Sequence, residues 1–282
     1  MNWDRAKTVL IFLFLCINIF LLLVLLYTTQ NTRVIPKDVI QTAITVLEQR
    51  GIAVSENVIP EKRFENASVD MKNIFSDPDV TAGRLLGENY SCEETDSETR
   101  YNLDKKQMMP EEGSIQYRNE KNVQPVDEKN KKDILERVLT ELEAMGISAE
   151  SHFVLGESVT DGIYTVKLGP VYNRIPVRGI VLEVHSDAEA IIEMSGNWFE
   201  PKRKEVDKQE ALLDVTSVLV NLIYIQDTDN IRITEIGYQY WVAEEYLGNK
   251  SVSAVPVYVF GADNGKQYMF DARTGKYINT EF

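Results

Sequence analysis

Residues 8–27 form an uninterrupted apolar run, TVLIFLFLCINIFLLLVLLY, without a charge. Twenty residues at about 1.5 Å rise reach about 30 Å, the thickness of a bilayer core, so the pattern predicts a transmembrane helix. Bulky Leu21–Tyr27 followed by TTQN lacks the small-residue cleavage pattern of a secretory signal, so the anchor is read as uncleaved. Arg5 and Lys7 precede the run and the next charge is Arg33. The positive-inside bias then predicts a single-pass protein of the cell membrane, with a cytoplasmic tail (1–7) and residues 28–282 extracytoplasmic.

Beyond a tether at 28–36 the pattern turns amphipathic. Ile40, Ala43, Ile44 and Leu47 recur at helical spacing before Gly51, and Leu135, Val138, Leu139, Leu142 and Met145 do so before Gly146. The two helices end alike, in Leu47-Glu-Gln-Arg-Gly-Ile and Leu142-Glu-Ala-Met-Gly-Ile. A third helix is expected from about Asp207, with Asp207 and Glu210 as a capping box and Leu212, Thr216, Leu219 and Ile223 as its stripe. Strand-like runs follow each helix: 64–71 and 101–103, then 153–159, 163–171, 177–185 and 190–197, then 231–243, 254–260, 267–271 and 276–278. Asp263-Asn264-Gly265 and Arg273-Thr274-Gly275 read as hairpin turns.

Helices followed by runs of strands imply an α+β fold, a helix packed on an antiparallel sheet and repeated about three times. The stretch 119–132, NEKNVQPVDEKNKK, has seven charges in fourteen residues and reads as a linker. It separates an N-terminal α+β subdomain (37–118) from a C-terminal region (133–282) with modules at about 133–200 and 205–282. Residues 77–100 contain few strand-like runs.

Net charge is −14 over the chain, and beyond residue 27 it is −15, from 28 basic and 43 acidic residues. An acidic surface is poorly suited to nucleic acid, and none is expected as a partner. Cys16 and Cys92 are the only cysteines, so a disulfide framework or a four-cysteine zinc site is excluded. No phosphate-binding loop, dinucleotide fingerprint, HExxH or GxSxG motif occurs. His185 shares a strand face with Glu183 opposite Leu182 and Val184 and reads as a solvated strand-end residue; His152 reads similarly. These readings point to a protein without catalytic residues, metal or cofactor.

One polar residue interrupts the apolar run. Asn18 lies in a seam with Ile11, Phe14, Leu21 and Leu25, spaced three and four residues apart. A seam of that kind, with an amide at its centre, suits pairing with a partner's helix. The alternative is an Asn tolerated in an anchor that faces lipid.

The N-terminal pattern Trp3…Lys7-Thr8 leading into Asn18-Ile19-Phe20-Leu21 resembles the opening of the YycI (WalI) family. Ile175-Pro176-Val177, Pro256-Val257-Tyr258 and Asp271-Ala-Arg-Thr-Gly275 resemble the PepSY-like helix-plus-sheet modules of YycI and its sibling YycH. The resemblance implies a non-enzymatic membrane regulator. Its partners would be a sensor histidine kinase of the WalK (YycG) type, governing cell-wall metabolism, and a YycH-like protein. It also implies regulatory contacts through the membrane helix. The competing expectation is a PepSY-type extracytoplasmic module that binds or inhibits a protease or binds wall peptides.

Overall fold

The computed structural model describes residues 3–31, 34–62, 64, 68–95, 98–148, 152–202, 212–226, 228 and 230–278. Strand dominates: among these residues there are sixteen strands and five α-helices. The chain opens with α1 (Trp3–Asn31), α2 (Lys37–Glu48), β1 (Ala53–Val54), β2 (Val69–Asn73) and α3 (Pro78–Leu86). Strands β3 (Ser91–Glu94), β4 (Thr99–Leu103), β5 (Lys106–Glu111) and β6 (Ser114–Asn119) lead to α4 (Lys131–Ala144). Next come β7 (His152–Thr160), β8 (Ile163–Tyr172), β9 (Ile175–Arg178), β10 (Leu182–Ser186), β11 (Ile191–Gly196) and β12 (Phe199–Pro201). The chain continues with α5 (Val215–Leu219), β13 (Arg232–Trp241), β14 (Ser251–Ala262), β15 (Gln267–Asp271) and β16 (Tyr277–Ile278).

Two compact units divide the chain. The first comprises 1–65, 211–237 and 258–282; the second comprises 66–210 and 238–257. Residues on both sides of the 119–132 stretch therefore belong to the second unit.

In the first unit, α2 buries Ile40, Ala43, Ile44 and Leu47, the stripe its spacing predicts. Strand β1 pairs in parallel with the start of β13, Ala53 beside Arg232. The expected turns are present, with Gly265 at φ +80° between β14 and β15 and Gly275 at φ +69° between β15 and β16. Helix α5 is a short piece that continues as a 3-10 turn over Val220–Tyr224. The capping box expected at Asp207 and Glu210 lies outside the described residues.

In the second unit, β8, β10, β11, β6, β5, β4 and β3 follow one another across the sheet in that order, with β7 also on β8. Alternation along these strands sends Tyr164, Val166, Leu168, Leu182 and Val184 into one core. Helices α3 and α4 cover it with Ala82, Leu85 and Leu86 and with Ile134, Val138 and Leu142, and Trp198 completes it. A second cluster gathers Val69, Met71, Val177, Phe199, Tyr240 and Val252.

The expected fold class is corrected on two points. The sheet is mixed, because β9 and β1 each run parallel to β13. Strands β7, β8, β10 and β11 do form an antiparallel run after α4, but the sheet does not divide into three successive helix-plus-antiparallel modules. Strand β6, from before α4, sits beside β11, and β2 lies between β12 and β14. Hydrogen-bonded neighbours are chosen by which apolar faces can share a core, and chain order does not dictate that choice.

The second point concerns the expected transmembrane helix at 8–27 and the single-pass localisation built on it. Among the described residues no helix is long and apolar enough to cross a membrane. Helix α1 itself runs continuously over Trp3–Asn31. The topology placing 28–282 outside a membrane falls with the span.

Candidate functional site

Leucine- and isoleucine-rich sequence without Gly or Pro between Trp3 and Asn31 makes α1 a continuous helix. Residues three and four apart share a helical face. Ile11, Phe14, Asn18, Leu21 and Leu25 therefore line one side of α1. Ile11 is 68% exposed, Phe14 70% and Leu21 57%; the side chain of Leu25 lies outside the described set. Asn18 is exposed, and its Nδ2 donates to the Phe14 carbonyl at 2.8 Å. An amide carries two N–H donors and an acceptor oxygen, so its own helix engages only part of it. The result is an apolar helix face with a polar group at its centre.

A second feature escapes the sequence reading. In the first unit, Asp38, Val39, Thr42 and Val46 of α2 and Thr216, Ser217 and Val220 line an open groove of ≈ 250 Å³. The Thr216 hydroxyl is buried there without a hydrogen-bond partner. The spacing 39, 42, 46 is a helical stripe next to the core-facing one, and it is the signal that could have revealed this groove.

The most densely connected polar constellation is in the second unit, at the turn between β10 and β11. The Asp187 side chain is fully buried. Its Oδ1 accepts from the backbone N–H groups of Glu189 and Ala190, both at 2.8 Å, and its Oδ2 from that of Gln124 at 3.0 Å. Lys121 Nζ stands 3.1 Å from Oδ1. Burial pushes the Asp187 carboxyl up, but these N–H donors and the ammonium outweigh it and hold the group below the usual carboxylate range. From α4, Arg137 donates to Ser186 Oγ at 2.6 Å and to the Asp187 carbonyl at 2.7 Å. Arg137 also pairs with Glu141 at 3.3 Å, and Glu141 accepts from the Ile191 N–H at 3.0 Å. Burial, with the Glu141 carboxylate nearby, pushes the Tyr117 hydroxyl up to about 12. No sequence motif announces this network, since its members are spread over 117–191.

His185 lies on the polar face of β10, as its spacing predicts. Its Nδ1 is 2.9 Å from Thr165 Oγ1 and its Nε2 is 3.4 Å from Glu183 Oε1. Among the described residues no group of three or more His, Cys, Asp or Glu side chains is placed to hold a metal ion. Cys16 and Cys92 are both free thiols.

Comparison with known proteins gives a sparse picture. No protein-family model matches the chain, and no curated protein matches it. Among solved structures it is similar to the Bacillus megaterium YpeB C-terminal domain, at 9% identity and a TM-score of 0.39, over 71% of this chain and 93% of that one. A likeness at that level carries no conclusion about family or function.

Proposed function

We propose that this chain is a non-enzymatic regulatory protein that modulates a sensor histidine kinase together with a YycH-like partner, and that α1 is the element that meets them. One observation carries this reading. The apolar side chains of α1 from Leu10 to Leu22 are exposed all round, and on one of its faces Ile11, Phe14 and Leu21 flank the Asn18 amide. Contiguous exposed apolar surface marks a site of association, and the amide supplies direction to an otherwise greasy contact. The resemblance of Trp3…Lys7-Thr8 and Asn18–Leu21 to the YycI opening supports the choice of partners.

The test is affinity purification of the full-length chain from cells, with identification of what accompanies it. A histidine kinase and a YycH-like protein are the expected companions. Asn18→Leu should lower their recovery by up to roughly tenfold, the scale of one lost hydrogen bond. Leu15→Ala, off the Ile11–Leu25 line, should leave recovery near wild type. Equal losses from both variants, no loss from Asn18→Leu, or recovery of a protease in place of the kinase would overturn the proposal.

A further inference from the structure

Residues 120–127, between β6 and α4, form neither helix nor strand, and apart from half-buried Lys121 and buried Val126 their side chains are exposed. The segment is nevertheless tied down. Glu120 N–H donates to the Lys105 carbonyl at 2.7 Å, and Val126 N–H to the Gly162 carbonyl at 2.8 Å. Gln124 donates to Asp187 Oδ2, and its carbonyl accepts from Ala188 N–H at 2.9 Å. Val126 inserts into the main core of the unit. Two of these attachments, both through Gln124, reach the Asp187 turn, and the Lys121 ammonium adds a third, 3.1 Å from Asp187 Oδ1.

That turn holds its own shape without the segment. Asp187 Oδ1 caps Glu189 and Ala190, Ser186 Oγ lies 2.9 Å from the Ala190 carbonyl, and Arg137 braces the turn from α4. Strands β10 and β11 keep their register from Leu182–Gly196 to His185–Glu193 irrespective of residues 120–127. The carboxylate is thus presented by a prebuilt scaffold, and the segment docks onto it.

We infer that residues 120–127 form a strap that opens as a unit while the sheet stays folded, with the Asp187 carboxylate as its latch. The charged groups around the latch are Lys121 on the strap, Glu189 in the turn (3.7 Å from Lys121 Nζ), and Arg137 and Glu141 on α4. Opening bares Val126 and frees the Gln124 and Val126 main-chain groups, so the closed strap keeps an extended hydrogen-bonding stretch out of reach. Segments with few apolar contacts open at lower cost than the sheets beneath them.

Hydrogen exchange on the full chain tests this. Asp187→Asn keeps the shape of the side chain and removes its charge. It should raise the exchange rates of both the Gln124 and the Val126 amides by about tenfold or more, the scale of a lost charge-assisted hydrogen bond, and leave β8 and β10 unchanged. Val126 is the deciding readout, because its acceptor, the Gly162 carbonyl, is untouched by the substitution. Lys121→Met should act in the same direction but more weakly, since the backbone donors to Asp187 remain. A change at Gln124 alone, no change at either amide, or equal loss of protection through β8 and β10 would overturn the strap.

Discussion

Gly113→Ala probes a tight backbone approach in the second unit. Gly113 sits in the β5–β6 turn at φ +75°. An added Cβ would meet the Leu247 carbonyl oxygen and lie 2.5 Å from Gly248 Cα and 2.9 Å from Gly248 C. These are backbone atoms, which cannot rotate away as a side chain could. The buried Asn73 bridges the same place: its Nδ2 is 2.6 Å from the Gly113 oxygen and 3.4 Å from that of Leu247, and its Oδ1 accepts from Phe75 N–H. Holding an L-residue in the left-handed region costs about 1–2 kcal/mol, and overpacking adds about 1–3 kcal/mol.

Gly146→Ala supplies the reference within the same unit. Gly146 has φ +72°, but its nearest neighbour is the Arg84 side chain at 3.5 Å, an ordinary contact. It should therefore show the backbone cost alone. Urea unfolding followed by tryptophan fluorescence reads the difference, because Trp198 and Trp241 both lie in this unit. The expected outcome is a Gly113→Ala loss about 1–3 kcal/mol larger than that of Gly146→Ala, at unchanged m. Equal losses would refute the steric argument and with it the close packing of the β5–β6 turn on residues 247–248.

Two further outcomes follow from the side chains. Cys92 is an exposed free thiol, so Cys92→Ser should move the melting temperature by no more than a few degrees, the shift of about 1 kcal/mol; a larger fall would show that the thiol has a structural role. The carboxyls of Asp187 and Asp271 are pushed up by burial, but hydrogen bonds and a nearby cation hold both below their ordinary value, with Arg273 acting on Asp271. A depressed folded pKa contributes stability that is present above about pH 4 and lost as the pH falls through the folded value. Asp187→Asn should therefore shrink the drop in melting temperature between about pH 5 and about pH 3, and an undiminished drop would contradict the assignment.

Local signals were legible. Helix α2 buries the four residues its spacing selects, and α4 buries Val138 and Leu142 from its predicted stripe, adding Ile134. Strands β7, β8 and β11 lie where alternation placed them. Other elements carried signals that conflict with their state. Strand β5 contains Pro110, which argues against a strand flanked on both sides, although β5 lies between β4 and β6. Strand β3 is Ser-Cys-Glu-Glu, exposed throughout, the composition of a charged sheet edge with no apolar face to read. Helix α3 is announced only by Asp77 before Pro78, a cap and first-turn pair within a polar stretch. The Asp187 constellation was illegible for another reason: its groups converge only after β10, α4 and the 120–127 segment have been brought together.

The repeated Leu-Glu-x-x-Gly-Ile ending shows why the expected module repeat failed. In α2, Gly51 N–H donates to the Glu48 carbonyl and Ile52 N–H to that of Leu47; in α4, Gly146 donates to Glu143 and Ile147 to Leu142. Both glycines have positive φ, and Leu47, Ile52, Leu142 and Ile147 are all buried. That is one helix-stop motif used twice, with a six-residue hydrogen-bonded loop closed by an apolar contact. Everything it specifies lies within six residues, so it says how a helix ends and nothing about which strands the helix will cover. The helices themselves fall in different units, α2 in the first and α4 in the second. Similar endings reflect a shared local solution, and a repeated module would require that the strands following each helix also pair with one another. After α4 they do, β7 with β8, β8 with β10 and β10 with β11, although β11 also takes β6, from before α4, as a neighbour; after α2 they do not, since β1 pairs with β13 and β2 with β12 and β14.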